Sequence, residues 1–311
     1  MNHLTVGVFQ DDTLGPELGK KGTESDFAMF NRKMGEEIFT FMSPVGDKLV
    51  AKSEIISSID VAIVAFPGIT RELGETLVML DLLGVANGIA VTSPYATPER
   101  IAGIIKDTSL KSFIVEERDP IKLIELLKNY RPKRDTTSPA LVVVDHSFSV
   151  KGVGEVILGF VRRGLVRKYD KLTLLPANKE VLVRSIQMQD EDYEQAEAGS
   201  RVGLAMKGAT VEEMKRGSVL CAPGSALAGT SFKLSFRKSP FYSDDLSEGT
   251  FHATLGMQTV PITITEMGGT SIAIECEKTM AYTRDDPFLL LNLNAKKMRV
   301  MGRANILPAS T

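Results

Sequence analysis

The glycine and lysine spacings of this sequence raise phosphate chemistry first. A nucleotide's phosphates need glycines, so that backbone N–H groups can wrap the anion, a lysine for the β/γ charge and a Ser or Thr for magnesium. Lys151-Gly152-Val153-Gly154-Glu155-Val156-Ile157-Leu158-Gly159 has the glycines, but the last is misplaced and strand formers follow it. No helix N-terminus is expected there to hold a pyrophosphate. The string reads as a turn in which Gly152 and Gly154 supply positive φ and Gly159 lets a strand bend. Gly15-Pro16-Glu17-Leu18-Gly19-Lys20-Lys21 is one residue short of a phosphate loop and ends in Lys where a hydroxyl is required, which leaves Gly19, Lys20, Lys21 and Thr23 as an unorthodox phosphate site. A phosphate loop belongs directly after the first apolar run, Leu4 to Phe9, and there stands Gln10-Asp11-Asp12-Thr13-Leu14. Glycine and lysine are missing, and two carboxylates stand in their place. One unit-charge pair at about 4 Å is worth roughly 4 kcal/mol at an effective dielectric of 20, so exchanging attraction for repulsion removes orders of magnitude in affinity.

Other chemistry-bearing residues have plainer readings. Asp145-His146 lacks a nucleophile in an elbow, and His3 and His252 lie far off in the chain, so His146 reads as structural. The run Asp190-Glu191-Asp192 lacks the glycine and alternating spacing of a calcium loop and reads as a solvated turn. Cys221 and Cys276 have no CxxC spacing, so neither a disulfide framework nor a metal site is indicated, and a reducing cytoplasm is expected. The basic hairpin Arg162, Arg163, Arg167 and Lys168, with the terminal Lys296, Lys297 and Arg299, supplies the best local candidates for phosphate contacts.

The elements that must carry these residues fall into three sets. Up to residue 130, short apolar runs (Leu4 to Phe9, Val61 to Phe66, Gly88 to Val91, Ser112 to Val115) alternate with helical-period segments (Glu72 to Leu83, Pro98 to Ile105, Pro120 to Leu127). That alternation predicts an α/β domain with a mostly parallel sheet. Thr97-Pro98 and Asp119-Pro120 mark helix starts, a capping side chain before proline in the first turn. Residues 131–139 are polar, basic and rich in proline, as a linker is. Short β-rich runs follow in 140–222 and, after the turn-rich break near Pro223-Gly224, in 226–311, and they predict two β-barrels. Several domains also fit 311 residues, since single cores stop growing near roughly 250–300. The 43 % apolar and 24 % charged composition excludes a disordered chain, and a net charge of −2 excludes a global basic field, so a polyanion must be held locally. No apolar run approaches the roughly 20 residues of a bilayer span, and a 6 % aromatic content without tryptophan argues against recognition built on stacking.

The second set resembles domain 2 of the translational GTPases of the elongation factor Tu and SelB group. The resemblance is carried by Asp145-x-x-Phe148-x-Val150-x-Gly152-x-Gly154-x-Val156-x-x-Gly159, Val183-Arg184-Ser185-Ile186-Gln187, Ala198-Gly199-x-Arg201-Val202-Gly203-Leu204-Ala205 and Arg216-Gly217-x-Val219-Leu220. Gly256-x-x-Thr259-Val260-Pro261, Arg284-Asp285-x-x-Phe288-Leu289 and Val300-Met301-Gly302 look like the family's last barrel, and Leu18 to Asp26 is similar to archaeal SelB-like factors. The first domain looks like a shortened, degenerate G domain. Beside the lost loop at Asp11, Asp12 and Thr13, the family's Asp-x-x-Gly is replaced by Ser43-Pro44-Val45-Gly46, and Asp47 stands where many members carry a water-orienting histidine. Thr92-Ser93-Pro94-Tyr95 replaces the guanine-reading Asn-Lys-x-Asp.

The resemblance implies a cytoplasmic translation factor that binds aminoacyl-tRNA, the ribosome or both through its barrels, with Arg184, Gln187 and Arg201 near the acceptor end. It implies no bound cofactor, no metal, no membrane and no hydrolysis of GTP. Two other outcomes are open: a GTPase holding GTP and magnesium at Gly19, Lys20, Lys21 and Thr23, and a ribosome-associated regulatory module.

Overall fold

The computed structural model describes residues 1–246 and 249–308. Its first domain runs β1 (Asn2–Phe9), α1 (Leu14–Leu18), β2 (Lys20–Glu24), β3 (Phe27–Met34), β4 (Glu37–Pro44), α2 (Leu49–Ile56), β5 (Val61–Ala65), α3 (Arg71–Leu83), β6 (Gly88–Val91), α4 (Pro98–Ile105), β7 (Ile114–Glu116) and α5 (Pro120–Leu127). These strands form one seven-stranded sheet in the order β2-β3-β4-β1-β5-β6-β7. From β4 to β7 neighbouring strands are parallel, while β3 and β2 add an antiparallel margin. β1 is buried over nearly its whole length, as expected of a strand covered on both faces. Thr70, Thr97 and Asp119 cap α3, α4 and α5 through their side chains.

The stretch between Gln10 and Asp60 departs most from the sequence reading, which placed no element there. It holds α1, α2 and the β2–β4 meander. Ser112 ends a 3-10 turn at Ser109–Ser112, and β7 begins only at Ile114.

The second domain comprises β8 (Leu141–Val150), β9 (Gly154–Arg163), β10 (Leu165–Arg167), β11 (Lys171–Leu175), β12 (Lys179–Met188), β13 (Glu191–Tyr193), β14 (Gln195–Glu197), β15 (Arg201–Lys207) and β16 (Val219–Cys221). The ring β11-β16-β8-β9-β15-β12 closes through the β11–β12 pairing, and β13 is added outside on β12. The acidic run read as a solvated turn is exposed throughout, but only Asp190 lies in the turn. Glu191–Tyr193 is a strand, and the Asp192 carboxylate accepts a hydrogen bond from Gln187 Nε2 at 2.9 Å. The third domain, β17 (Leu227–Lys238), β18 (Gly249–Leu255), β19 (Gln258–Gly268), β20 (Ser271–Tyr282), β21 (Phe288–Leu291) and β22 (Val300–Ile306), is a closed barrel in the order β17-β20-β19-β18-β21-β22. Its strands alternate as a barrel requires, with Phe232, Leu234 and Phe236 of β17 turned inward between exposed neighbours.

The α/β domain and the third domain share one hydrophobic core, in which Phe66, Leu73, Met79 and Leu82 cluster with Met257, Leu289, Leu291 and Val300. Polar contacts are built into this interface. The Glu75 carboxylate of α3, with no exposed side-chain surface, accepts from Arg299 Nε at 2.9 Å, Arg299 Nη2 at 2.6 Å and the Arg299 backbone N–H at 3.0 Å. Ser53 of α2 shares a buried 2.9 Å hydrogen bond with Thr254. Next to it, burial pushes the Glu54 carboxyl up to about 7, against the opposing pull of Arg216 of the second domain and a hydrogen bond from Thr259 of the third. Arg216 itself pairs with Asp26 at 2.8 Å. The linker is fastened too, since Arg134 grips Asp60 at 2.7 and 2.8 Å and donates to the His3 carbonyl at 2.7 Å. Gly199 leaves room for that grip. Its φ is +96° and a Cβ there would stand 2.3 Å from Arg134 Nε.

Glu54 and Gly199 give separable stability tests. Above pH 4.5 unfolded Glu54 loses its proton, whereas the folded chain keeps it until about pH 7, so stability falls as pH rises through that window. Glu54→Gln removes this slope, leaving the variant level with the parent near pH 4.5 and more stable at pH 8 by about 1–3 kcal/mol in denaturant melts. Burial depresses His3 to about 4, which adds a slope of opposite sign, but this is common to both proteins and cancels in the difference. Gly199→Ala is expected to cost about 1–3 kcal/mol at any pH, because it combines backbone strain with displacement of Arg134. A melt unchanged by either substitution contradicts the corresponding contact.

Candidate functional site

The loop after β1 marks the place of a nucleotide's phosphates, and here it is filled from within. Asp11 accepts from Arg118 Nε at 2.6 Å, and from the Thr13 backbone N–H and hydroxyl at 3.0 and 2.7 Å. Arg118, from the loop after β7, also donates to Thr13 Oγ1 at 2.8 Å and to both oxygens of Glu17 at 2.8 and 3.2 Å. Partial burial opposes ionisation of Asp11, but the bonds from Arg118 and Thr13 outweigh it and hold the carboxyl below the usual range. A helix N-terminus binds anions through free amides. The Thr13 amide is taken by the Asp11 side chain, and the Leu14 amide makes a longer, 3.4 Å bond to the Asp11 carbonyl. α1 is five residues long, and Asp12 points to solvent.

The other nucleotide positions are similarly committed. Ser43 is buried in β4 opposite Ala28, Gly46 is left-handed at φ 70°, and Asp47 pairs with Lys52 and, at 3.6 Å, with Arg299. After β6 the Thr92 amide bonds to the Glu116 carbonyl and Ser93 Oγ to the Phe66 carbonyl, while Tyr95 is exposed with its own carbonyl held by Arg100. A guanine reader needs a carboxylate for its paired donors, and the segment Thr92 to Tyr95 contains none. These residues do not fit a nucleoside triphosphate with magnesium. Among the described residues no group of His, Cys, Asp and Glu could hold a metal ion.

Lys20, Lys21 and Thr23 lie on β2, with Gly19 extended just before it. An extended edge strand sends successive groups to opposite sides and does not converge its amides on a phosphate. A different grouping emerges across the domain boundary. Lys20, Lys21 and Asn31 of the α/β domain face Gln187, Asp190 and Arg201 of the first barrel across a cleft of about 340 Å3. Arg201 is anchored there by a 2.8 Å ion pair to the buried Asp145 and stacks over Phe160. Arg184 lies outside this cleft, exposed, and donates to the Val153 carbonyl at 3.3 Å.

The basic candidates divide by environment. Arg299 is committed to Glu75 and Asp47 at the domain interface. Arg162 donates to the Ser58 carbonyl at 3.1 Å and Arg163 to the Ser225 carbonyl at 2.7 Å, both at the junction of the three domains. Arg167, Lys296 and Lys297 remain on the surface, and Lys168 pairs at 3.4 Å with Glu194. Sequence reasoning missed Arg118, Glu75, Glu54 and Arg134. The sequence carried one usable signal for Arg118, an arginine two residues past the end of β7.

Residues 154–221 match the family model for elongation factor Tu domain 2. The uncharacterized protein MJ0325 of Methanocaldococcus jannaschii is 37% identical over 306 residues, covering 97% of this chain and 99% of that protein. The selenocysteine-specific elongation factor of the same organism is 29% identical over 236 residues, covering 69% of this chain and 50% of that factor. In overall shape the chain superposes on translation elongation factor SelB from Methanococcus maripaludis in complex with the GTP analogue GppNHp, with a TM-score of 0.84 at 23% identity, covering 100% of this chain and 80% of that one. The bacterial selenocysteine-specific elongation factor EF-Sec gives a TM-score of 0.82 at 18% identity, covering 98% of this chain and 58% of that one. Sequence and architecture agree, and the chain belongs to the SelB-like family of translational GTPases.

Proposed function

We propose that this chain is a cytoplasmic SelB-like translation factor that holds the aminoacylated end of tRNA between β2 and the first barrel and neither binds nor hydrolyses GTP. The observation that supports it best is a pair of arrangements on one domain. Lys20 and Lys21 stand across a cleft from Gln187 and Arg201, while Asp11, Glu17 and Arg118 occupy the phosphate position. In this reading the α/β domain is a scaffold that presents β2 and its lysines to the barrel. Asp145 keeps the Arg201 guanidinium in place, and Gln187, itself braced by Asp192, offers an amide to the terminal nucleotide. Arg167, Lys168, Lys296 and Lys297 add charge along a phosphate backbone.

Filter binding to aminoacylated and deacylated tRNA over a salt titration tests the tRNA arm. Binding is expected to weaken steeply with salt, and Lys20→Gln and Lys21→Gln each to weaken it for every tRNA and reduce the log–log slope by about one. Salt-insensitive or absent binding overturns the reading. Equal binding of acylated and deacylated tRNA, or binding to a ribosomal subunit alone, favours a ribosome-associated module instead.

Calorimetry with GTP and magnesium tests the scaffold arm. No heat of specific binding is expected for the parent protein or for Lys20→Gln. A saturable heat that vanishes in Lys20→Gln transfers the assignment to a GTPase with its phosphate site at Gly19, Lys20, Lys21 and Thr23.

A further inference from the structure

A second cleft lies elsewhere, where all three domains meet. It has a volume of about 470 Å3 and is entered between Asp60 and Asn87 of the α/β domain, Arg162 of the first barrel and Asp286 of the second. Asp60 and Asn87 directly precede β5 and β6, whereas the Asp11 loop follows β1, so the cleft opens at the opposite end of the parallel sheet from the nucleotide position. Volume and placement suit a small-molecule site, since such pockets run to about 300–1,000 Å3 and favour domain junctions.

The charges in the cleft name the class of ligand. Arg118, Arg131, Arg134, Arg201, Arg216 and Arg299 all have carboxylate partners. Arg162 and Arg163 are adjacent, both line the cleft, and among the described residues each is bonded only to a backbone carbonyl. The two acids nearby are already engaged, Asp60 by Arg134 and the Thr5 amide and Asp286 by the Thr283 amide at 2.7 Å. Arg162 stays exposed to solvent near the end of β9, where a ligand can reach its guanidinium group. Leu83, Val85, Leu255 and Met257 form an apolar wall beside the guanidinium groups.

We propose that this junction cleft binds a small molecule carrying one oxyanion, a carboxylate or a phosphate monoester, on an apolar body, with Arg162 as the principal anchor and Arg163 beside it. Guanidinium groups match either oxyanion in bidentate geometry. A ligand there touches all three domains and stabilises their arrangement by mass action.

The test uses the full chain with three probes that share one ring: benzoate, phenyl phosphate and neutral benzamide. Thermal melts are expected to shift upward with benzoate or phenyl phosphate in a saturable way and not with benzamide, and the anion that binds identifies the headgroup. Isothermal titration should show that probe binding at least tenfold more weakly to Arg162→Gln. Asn87→Trp, which narrows the cleft from an exposed rim position, should weaken it similarly and keeps the test decisive if Arg162→Gln fails to fold. Lys106→Gln, on an exposed helix end elsewhere, should bind as the parent does. No shift with either anion, an equal shift with benzamide, or parental affinity in Asn87→Trp overturns the proposal.

Discussion

The Glu75 carboxylate is the constraint on which the arrangement of this molecule depends. It is completely buried on α3, and a buried carboxylate without a partner is destabilising by several kcal/mol. Its partner is Arg299, a residue of the third domain more than two hundred positions away, which reaches it through the guanidinium and the backbone N–H together. Separating the α/β domain from the second barrel therefore exposes apolar surface and also strands a charge. Apolar contacts alone allow sliding. The forked geometry of Arg299 on Glu75 fixes the register of α3 against β21 and β22.

The same logic extends to α2. In a GTPase the segments around the phosphates change order because the γ-phosphate and its metal hold them in only one state. Here Ser53 of α2 is held by Thr254 of the second barrel, Glu54 lies 3.6 Å from Arg216 of the first, and Asp47 at the helix's approach is held by Lys52 and Arg299. All these restraints come from protein side chains, so the helix needs no phosphate to be ordered.

How much of this was legible in the sequence depended on the range of the interactions. Local signals were read well. Thr97-Pro98 and Asp119-Pro120 place α4 and α5, and Gly152 and Gly154 do take positive φ. The three-set division by strand and helix grammar corresponds to the sheet and two barrels. The segment from Gln10 to Asp60 was opaque. α1 is too short to show a helical period, and β3 and β4 carry continuous apolar runs with little alternation. The site residues that escaped are those whose partners are distant. Nothing near Glu75 announces Arg299, and nothing near Arg118 announces Asp11. Likewise Arg163 and Arg299 looked like surface cations because their chain neighbours are basic, and only tertiary packing brings them against Ser225 and Glu75, while Arg162 remains exposed at the domain junction.

The charge pattern around the first loop is self-consistent in a way that favours neither repair nor reversal by a single change. Asp11 and Glu17 face one another's field, and Arg118 satisfies both. Without Arg118 the two carboxylates repel, and without them Arg118 lies partly desolvated among backbone amides that are already used. Each group therefore keeps the others in place, and a phosphate has to displace all of them at once. On β2 the situation is inverted. Lys21 is paired locally with Glu24 at 2.5 Å, while Lys20 has no acid of its own among the described residues and stands in the cleft beside Gln187 and Arg201. With a net charge of −2 the chain has no long-range pull on polyanions, so only such a local excess of positive charge could attract one. The two places thus differ in charge balance: the loop after β1 is neutralised by the protein's own arginine, and the uncompensated Lys20 sits on the strand that faces the barrel.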